Sequence, residues 1–449
     1  DGTGSPYSSP SSFALNPWFL DGPDLVQQGL LSPGDIHSLP DAGSERLEPQ
    51  AQQLRAETMR DRLLAGWPER QMQYGRAFQI WRRRHDFWLR DHCRFVVLRQ
   101  AFGDAPWWQW PDPLAQRNPR AIRKLDWSKR AALLGEALLQ WCLDEQWGRL
   151  RRLADRQGVE ILGDLPFYVA HDSADVWSRR GLFAVQGDGS LTRQSGVPPD
   201  YFSATGQLWG TPVYRWAMHR LTDFRWWRRR VLRQLQLVDS LRIDHFRALS
   251  AYWSVPGGDD TAMFGRWVPS PGVNLLNALK GWHFGSREPL PLVAEDLGVI
   301  TPDVEALRDR FGLPGMKVLQ FAFDGNPGNP YLPANIHGDH WVVYTGTHDN
   351  PTCLSWWAGL DDRTRHQVAT VIGDGVDAPG WQLLELGLRS SARLVMVPLQ
   401  DLLHLDDQGR FNTPGTCQGN WSWRIHSTDE ALDGAIKGLG ERARAASRC

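Results

Sequence analysis

From about Ser44 to Gln157 the apolar positions recur at helical spacing in a texture rich in Arg, Glu, Leu and Ala. Leu134, Leu138 and Trp141 share one face of such a helix, with Asp126 as the expected N-cap and Gly158 as the stop. Only the proline-rich stretch from Pro106 to Pro119 interrupts the period, so the block reads as an inserted helical subdomain rather than part of a sheet. Ahead of it, Ser5 to Leu20 surrounds an aromatic cluster with Pro, Ser and Asn, and reads as a structured loop.

After Gly158 the pattern changes to short apolar runs that end in polar clusters and are followed by helical stretches. Val159 to Leu162 ends at Gly163-Asp164, Leu237 to Ile243 at Asp244, and Pro291 to Ala294 at Glu295-Asp296. Gly315 to Phe323 ends at Asp324, Trp341 to Thr345 at His348-Asp349, and Leu394 to Val397 at Gln400-Asp401. Each predicted strand thus carries an acid at or just past its end. A parallel α/β barrel with its site on the C-terminal rim predicts this placement, and a doubly wound sheet is the alternative. Thr301-Pro302 supplies an N-cap and a first-turn proline after the third strand. Asp188-Gly189 and Gly373-Asp374-Gly375 read as turns, and no glycine-rich phosphate loop follows a strand. The expected organisation is therefore rim loops over 1–43, a mainly helical insertion over 44–157 and the barrel with loop insertions over 158–449.

Composition narrows the function classes. Fifty Lys plus Arg balance 51 Asp plus Glu, so there is no global electrostatic case for nucleic acid or an anionic membrane as partner. The basic runs Trp81 to Arg84 and Trp226 to Arg230 read as solvated helix faces. The five cysteines are scattered without metal-finger spacing, and no basic-then-apolar leader or long apolar span appears, which fits a reduced cytosolic compartment. Tryptophan is the outlier, at 24 residues, and several lie outside any helical stripe, as in Ala105 to Trp110 and Gln207 to Gly210. Flat rings with a polar edge suit sugars, whose faces are apolar and whose rims are hydroxylated, although core packing is the commoner fate of any single Trp.

The chemistry concentrates in LVDSLRIDHFR, Leu237 to Arg247. Arg242 and Arg247 flank Asp244, and positive charge on both sides favours its carboxylate. Glu295 has fewer cations near it in sequence and is expected to hold a proton more readily. Two such carboxyl groups on neighbouring strand ends match the needs of glycoside chemistry, and Asp349 would be a third acid gripping sugar hydroxyls. Taken singly, an acid in such a place is often only a helix cap or an ion-pair partner, and Asp164 has that reading beside a role in positioning the rim. His171, His245 and His348 adjoin aspartates, but without ligand spacing they read as hydrogen-bonded histidines rather than a metal site.

RIDHFR (242–247), AEDLG around Glu295, TGTHDN (345–350), GVPPDYFSATGQLWG (196–210), FGLPGMKVLQFAFDG (311–325) and NTPGT followed by GNWSWR (412–424) resemble the 4-α-glucanotransferases, glycoside hydrolase family 77. The similarity runs from Ser5 to Arg424. It implies a (β/α)8 barrel with inserted subdomains, no cofactor, and retaining transfer of α-1,4-glucan segments between maltooligosaccharides or starch-like and glycogen-like glucans. Under that resemblance Asp244 is the nucleophile, Glu295 the general acid/base and Asp349 the third carboxylate, with Arg242 and His348 as partners of the donor sugar. Tyr7 falls in the SPY motif beside the acceptor channel, Ser203 to Trp209 form a loop over the cleft with Gln207 and Trp209 near the sugars, and Asp324 and Asn412 line the same cleft. Family members open with a strand, a helix and a second strand, whereas this chain starts inside the following loop. The expectation is a barrel lacking its first strands and left with an exposed edge. A hydrolase of α-amylase type and an inactive glucan-binding fragment are the rival readings.

Overall fold

Good helix formers sustain the long upstream period into two helices, α1 (Pro49–Ala101) and α2 (Arg130–Arg156). Their apolar faces meet through Trp67 and Trp141, whose ring centroids lie 6.0 Å apart. Buried Glu136 on α2 receives Arg60 of α1 at 2.7 Å, and the Trp81 indole donates to Asp144 at 2.6 Å. The chain is described by a computed structural model over all residues except 1–3, 42–45, 200–202, 282–288, 374, 417, 426–429 and 449. The expected boundary at 43–44, Asp374 of the second expected turn and part of the 196–210 motif lie outside the described residues.

Asp126 is not the cap of α2. It lies inside a separate helix, Pro119–Ser128, where it accepts from Arg94 Nε at 2.8 Å. The stronger start signal is Asn118-Pro119, with the Asn118 side chain accepting from the Arg120 amide at 2.9 Å. Gly158 does end the helical block, at a φ of +67° that glycine adopts without strain.

The chain divides into two compact units, one from Pro6–Ala42 with Pro49–Pro291 and one from Gly43–Glu48 with Leu292–Cys449. In the first, β1 (Leu162–Leu165) runs parallel to β4 (Ser240–Ile243), with Asp164 opposite Arg242. A four-stranded antiparallel sheet lies between and beyond them in sequence: β2 (Arg193–Val197), β3 (Gln207–Pro212), β5 (Ala251–Pro256) and β6 (Arg266–Pro269), in the order β3-β2-β5-β6. Helix α3 (Arg225–Leu235) corrects the reading of its basic run. Trp226, Trp227, Arg228 and Arg230 are buried, and Arg230 donates to the Phe167 and Pro166 carbonyls at 3.0 and 2.6 Å. Those carbonyls, on the turn that leaves β1, are what let a guanidinium sit in the core.

The second unit opens with β7 (Leu292–Ala294), followed by α4 (Pro302–Arg310). Then come β8 (Gly315–Val318), β9 (Trp341–Tyr344) and β10 (Leu394–Met396), a parallel sheet in the order β10-β9-β8. Its core is a fully buried set of Leu319, Val343, Cys353, Val368 and Leu383. All six expected parallel strands are present, and among the described residues they form open sheets rather than a closed ring. The α/β architecture with helical insertions and an incomplete barrel follows. The strands are shorter or shifted against expectation: β1 starts at Leu162, so Asp164 lies inside it, β4 starts at Ser240 rather than Leu237, and after Val318 the chain turns into the short 3-10 helix Leu319–Phe321, with changes of one residue at the other three.

Candidate active site

In the first unit the parallel register places Asp164 and Arg242 side by side on adjacent strands. Arg242 Nη1 reaches both carboxylate oxygens of Asp164, at 2.8 and 2.7 Å, and its Nη2 lies 3.0 Å from Asp244 Oδ1. The guanidinium is buried, whereas about a third of the Asp244 side chain is open to solvent, at 31%. One shielded cation therefore orients two carboxylates, both about a third open to solvent, with Asp164 at 34% and Asp244 at 31%. The Asp244 amide donates to the Leu165 carbonyl at 3.0 Å, which prolongs the ladder by one residue and fixes where its side chain leaves the strand.

Tyr7 joins the same chain of bonds by donating to Asp164 Oδ2 at 2.6 Å. Burial, reinforced by the charges of Asp164 and Asp244, holds the phenol above its ordinary range, so it remains a donor. The loop that carries Tyr7 is pinned at several points. Buried Asp175 accepts from the Ser12 amide at 2.8 Å, Arg233 donates to the Phe13 carbonyl at 3.1 Å, and Gln140 exchanges two 2.9 Å bonds with the Leu15 backbone.

His245, the residue after Asp244, takes a left-handed conformation at φ +52°. Burial, with Arg247 adding to it, holds the imidazole down to about 3, so it is neutral. Its ring meets Trp209 of β3 edge to face at 4.9 Å, and the Trp209 indole points toward Gln207 Oε1 at 3.4 Å. Trp209 stays partly exposed, at 36%, which leaves a ring face available beside the nucleophile candidate's own neighbour. His171, by contrast, is a structural histidine: it stacks on Trp108 at 3.9 Å and bonds the Gly189 carbonyl at 2.8 Å.

In the second unit Glu295 follows β7 directly and accepts from the Leu297 amide at 3.1 Å through Oε1. Its neighbour Asp296 is buried and engaged, accepting from Arg308 at 2.5 Å and from the Met316 amide at 2.7 Å. Of this acidic pair, Glu295 is the one that chemistry can use. Past β9, His348 Nε2 lies 3.4 Å from Asp349 Oδ2, and Asn412 donates to Asp349 Oδ1 at 2.6 Å. Half of the Asp349 side chain is exposed, at 50%. Trp421 packs its ring 5.4 Å from that of His348, a partner that only the GNWSWR motif signals in sequence.

His348, Asp349 and Asn412 thus form one group. Asp324 does not join it: the residue is exposed and accepts from the Asn326 amide at 2.9 Å in a turn of its own. That bond, with the Asn329 side chain, lowers its carboxyl from the ordinary value. Among the described residues no group of three or more His, Cys, Asp or Glu side chains is arranged to hold a metal ion.

A model of the family described as 4-alpha-glucanotransferase, glycoside hydrolase family 77, matches residues 1–429. The chain is similar to the 4-alpha-glucanotransferase of Synechocystis, 41% identical over 428 residues that cover 94% of this chain and 84% of that protein. It is also similar to that of Thermus thermophilus, 43% identical over 432 residues with the same two shares, 94% and 84%. Among solved structures, the amylomaltase from Streptococcus agalactiae in complex with acarbose matches at a TM-score of 0.93 and 29% identity, covering 99% of this chain and 89% of that one.

Proposed function

Because this chain belongs to the 4-alpha-glucanotransferases of glycoside hydrolase family 77, we propose that it moves α-1,4-glucan segments from a donor glucan to the 4-OH of an acceptor sugar. The observation that carries the site assignment is the bonded run Tyr7, Asp164, Arg242, Asp244, in which Tyr7 and Arg242 both hold Asp164 inside β1 while Asp244, oriented by Arg242, sits just past the end of its parallel strand. Asp244 attacks the anomeric carbon while Glu295 protonates the departing 4-oxygen, so the glycosidic bond breaks as a glycosyl ester forms. An acceptor 4-OH then attacks the same carbon, Glu295 takes its proton, and the ester bond to Asp244 breaks. Asp349, His348 and Asn412 hold hydroxyls of the donor ring, and Trp209 with Gln207 and Tyr7 line the path of the glucan. Asp324 lines the same cleft. No step needs a cofactor.

Transfer exceeds hydrolysis because a bound sugar hydroxyl has a high effective concentration and the Ser203–Trp209 segment, whose last three residues belong to β3 rather than to a loop, shields the ester from water. With pure maltotriose as the only substrate, glucose and oligomers longer than the starting sugar are expected while the number of reducing ends stays constant. Steady growth in reducing ends without longer products would instead make the protein a hydrolase. We read the helical block over 44–157 as a subdomain inserted in the barrel, and the location as cytoplasmic. No described helix is long and apolar enough to cross a membrane.

A further inference from the structure

Two of the strand-end acids are sealed from solvent, Asp296, which Arg308 pairs, and the sixth strand's Asp401, at 3% exposure. It sits on the short helix Leu399–Leu402, just after β10, and no Arg or Lys forms an ion pair with it among the described residues. Burial accordingly raises its carboxyl from the ordinary value. A buried acid without a cation is expensive to keep, so what its oxygens hold identifies its work.

They hold both ends of one loop. Asp401 Oδ2 accepts from Thr345 Oγ1 at 3.0 Å, at the residue where β9 gives way to the loop. Oδ1 accepts from the Cys353 amide at 2.7 Å, at the first residue of helix α5 (Cys353–Gly359), where the loop ends. The Cys353 thiol adds a third bond at 3.0 Å, and burial beside Asp401 keeps it a protonated donor. Between these anchors lie Thr347, His348, Asp349 and Asn350.

The loop is cross-braced inside the same frame. Asn350 Oδ1 accepts from the Thr347 amide and hydroxyl at 2.9 and 2.8 Å, and Gln320 donates to the Pro351 carbonyl at 3.1 Å. A Cβ at Gly346 would stand 2.7 Å from Gln320 Nε2, so the backbone runs as close to that side chain as packing allows. From this geometry we infer that Asp401 is a positioning residue: one buried carboxylate clamps the two ends of the 345–353 loop and so sets where His348 and Asp349 meet the donor sugar. The inference rests on the assignment of Asp349 to the donor site made above.

A double-mutant cycle tests it. Asp401→Ala is expected to lower kcat for maltotriose transfer about 100-fold with a small change in KM, since a displacement of about 1 Å in a gripping group costs about that much. In an Asp349→Ala background the same change should cost no more than about threefold, because the group it positions is already gone. Equal losses in both backgrounds would overturn the positioning role and leave only a general packing contribution. Should Asp401→Ala not fold, Thr345→Val removes one anchor and keeps the shape, and the same comparison applies. It should also speed amide hydrogen exchange in residues 345–353 while leaving other segments unchanged, and uniform acceleration across the unit would count against the clamp. Full transfer activity in Asp349→Ala would instead remove the site assignment itself, and this inference with it.

Discussion

Asp244→Ala is expected to abolish transfer, lowering the initial rate on maltotriose by at least about 10⁴-fold, which corresponds to about 5 kcal/mol of barrier. The size follows from the residue's place in the reaction, since without it no ester forms and the first displacement has no nucleophile. The structure also says why the variant should fold. Arg242 is buried, and losing Asp244 would be severe if that left the guanidinium alone. It does not, because Arg242 Nη1 keeps both oxygens of Asp164, at 2.8 and 2.7 Å. Circular dichroism and glucan binding should therefore stay close to those of the parent protein. A variant that still turns over at the parental rate would assign the nucleophile elsewhere.

Glu295→Gln carries the second large effect, a fall of about 10² to 10⁴ in the maltotriose rate, the usual span for a positioned general acid/base. The effect should depend on the leaving group. A maltosyl fluoride donor departs without needing a proton, so the first displacement is expected to survive and the ester to accumulate. Added azide, which attacks without a base, should then restore turnover and give a glycosyl azide of retained configuration. Equal losses on both donors with no response to azide would mean that Glu295 supports the fold rather than proton transfer. Asp296 next to it provides the contrast, since its bonds to Arg308 and the Met316 amide tie it to packing.

The six parallel strands were readable because each is a short apolar run that stops at charge, a signal that needs no knowledge of neighbours. The antiparallel sheet was not. Its members include RQSGV (Arg193–Val197) and QLWGTP (Gln207–Pro212), which are polar, broken by glycine and without clear alternation, and what makes them strands is pairing with β5 and each other. The basic run on α3 misled for a related reason. Arginine in a sequence looks solvated, and only the fold reveals that the Pro166 and Phe167 carbonyls wait for Arg230 in the core.

The site shows the same division. Arg242 beside Asp244, and His348 beside Asp349, are pairings that adjacency in sequence announces. The bond from Tyr7 to Asp164 spans 157 residues, and no local pattern could place the phenol on that carboxylate rather than in open solvent. Trp421 against His348 and the Asp401 clamp are likewise tertiary facts, although an acid at the end of the sixth strand was visible. Asp324 shares a motif with its neighbours, yet its bonds describe a turn, so motif membership alone does not bring a residue into a group.

The central claim, that Asp244 becomes covalently glycosylated, is tested most directly by trapping the ester. The protein would be incubated with a maltooligosyl fluoride blocked at its terminal 4-OH, so that it cannot serve as its own acceptor, and digested at low pH for mass spectrometry. The account predicts a maltooligosyl mass increment on the peptide containing Asp244, lost when free maltose is added before quenching. An increment on a peptide lacking Asp244, or continued turnover with no adduct in the Glu295→Gln variant, would contradict it.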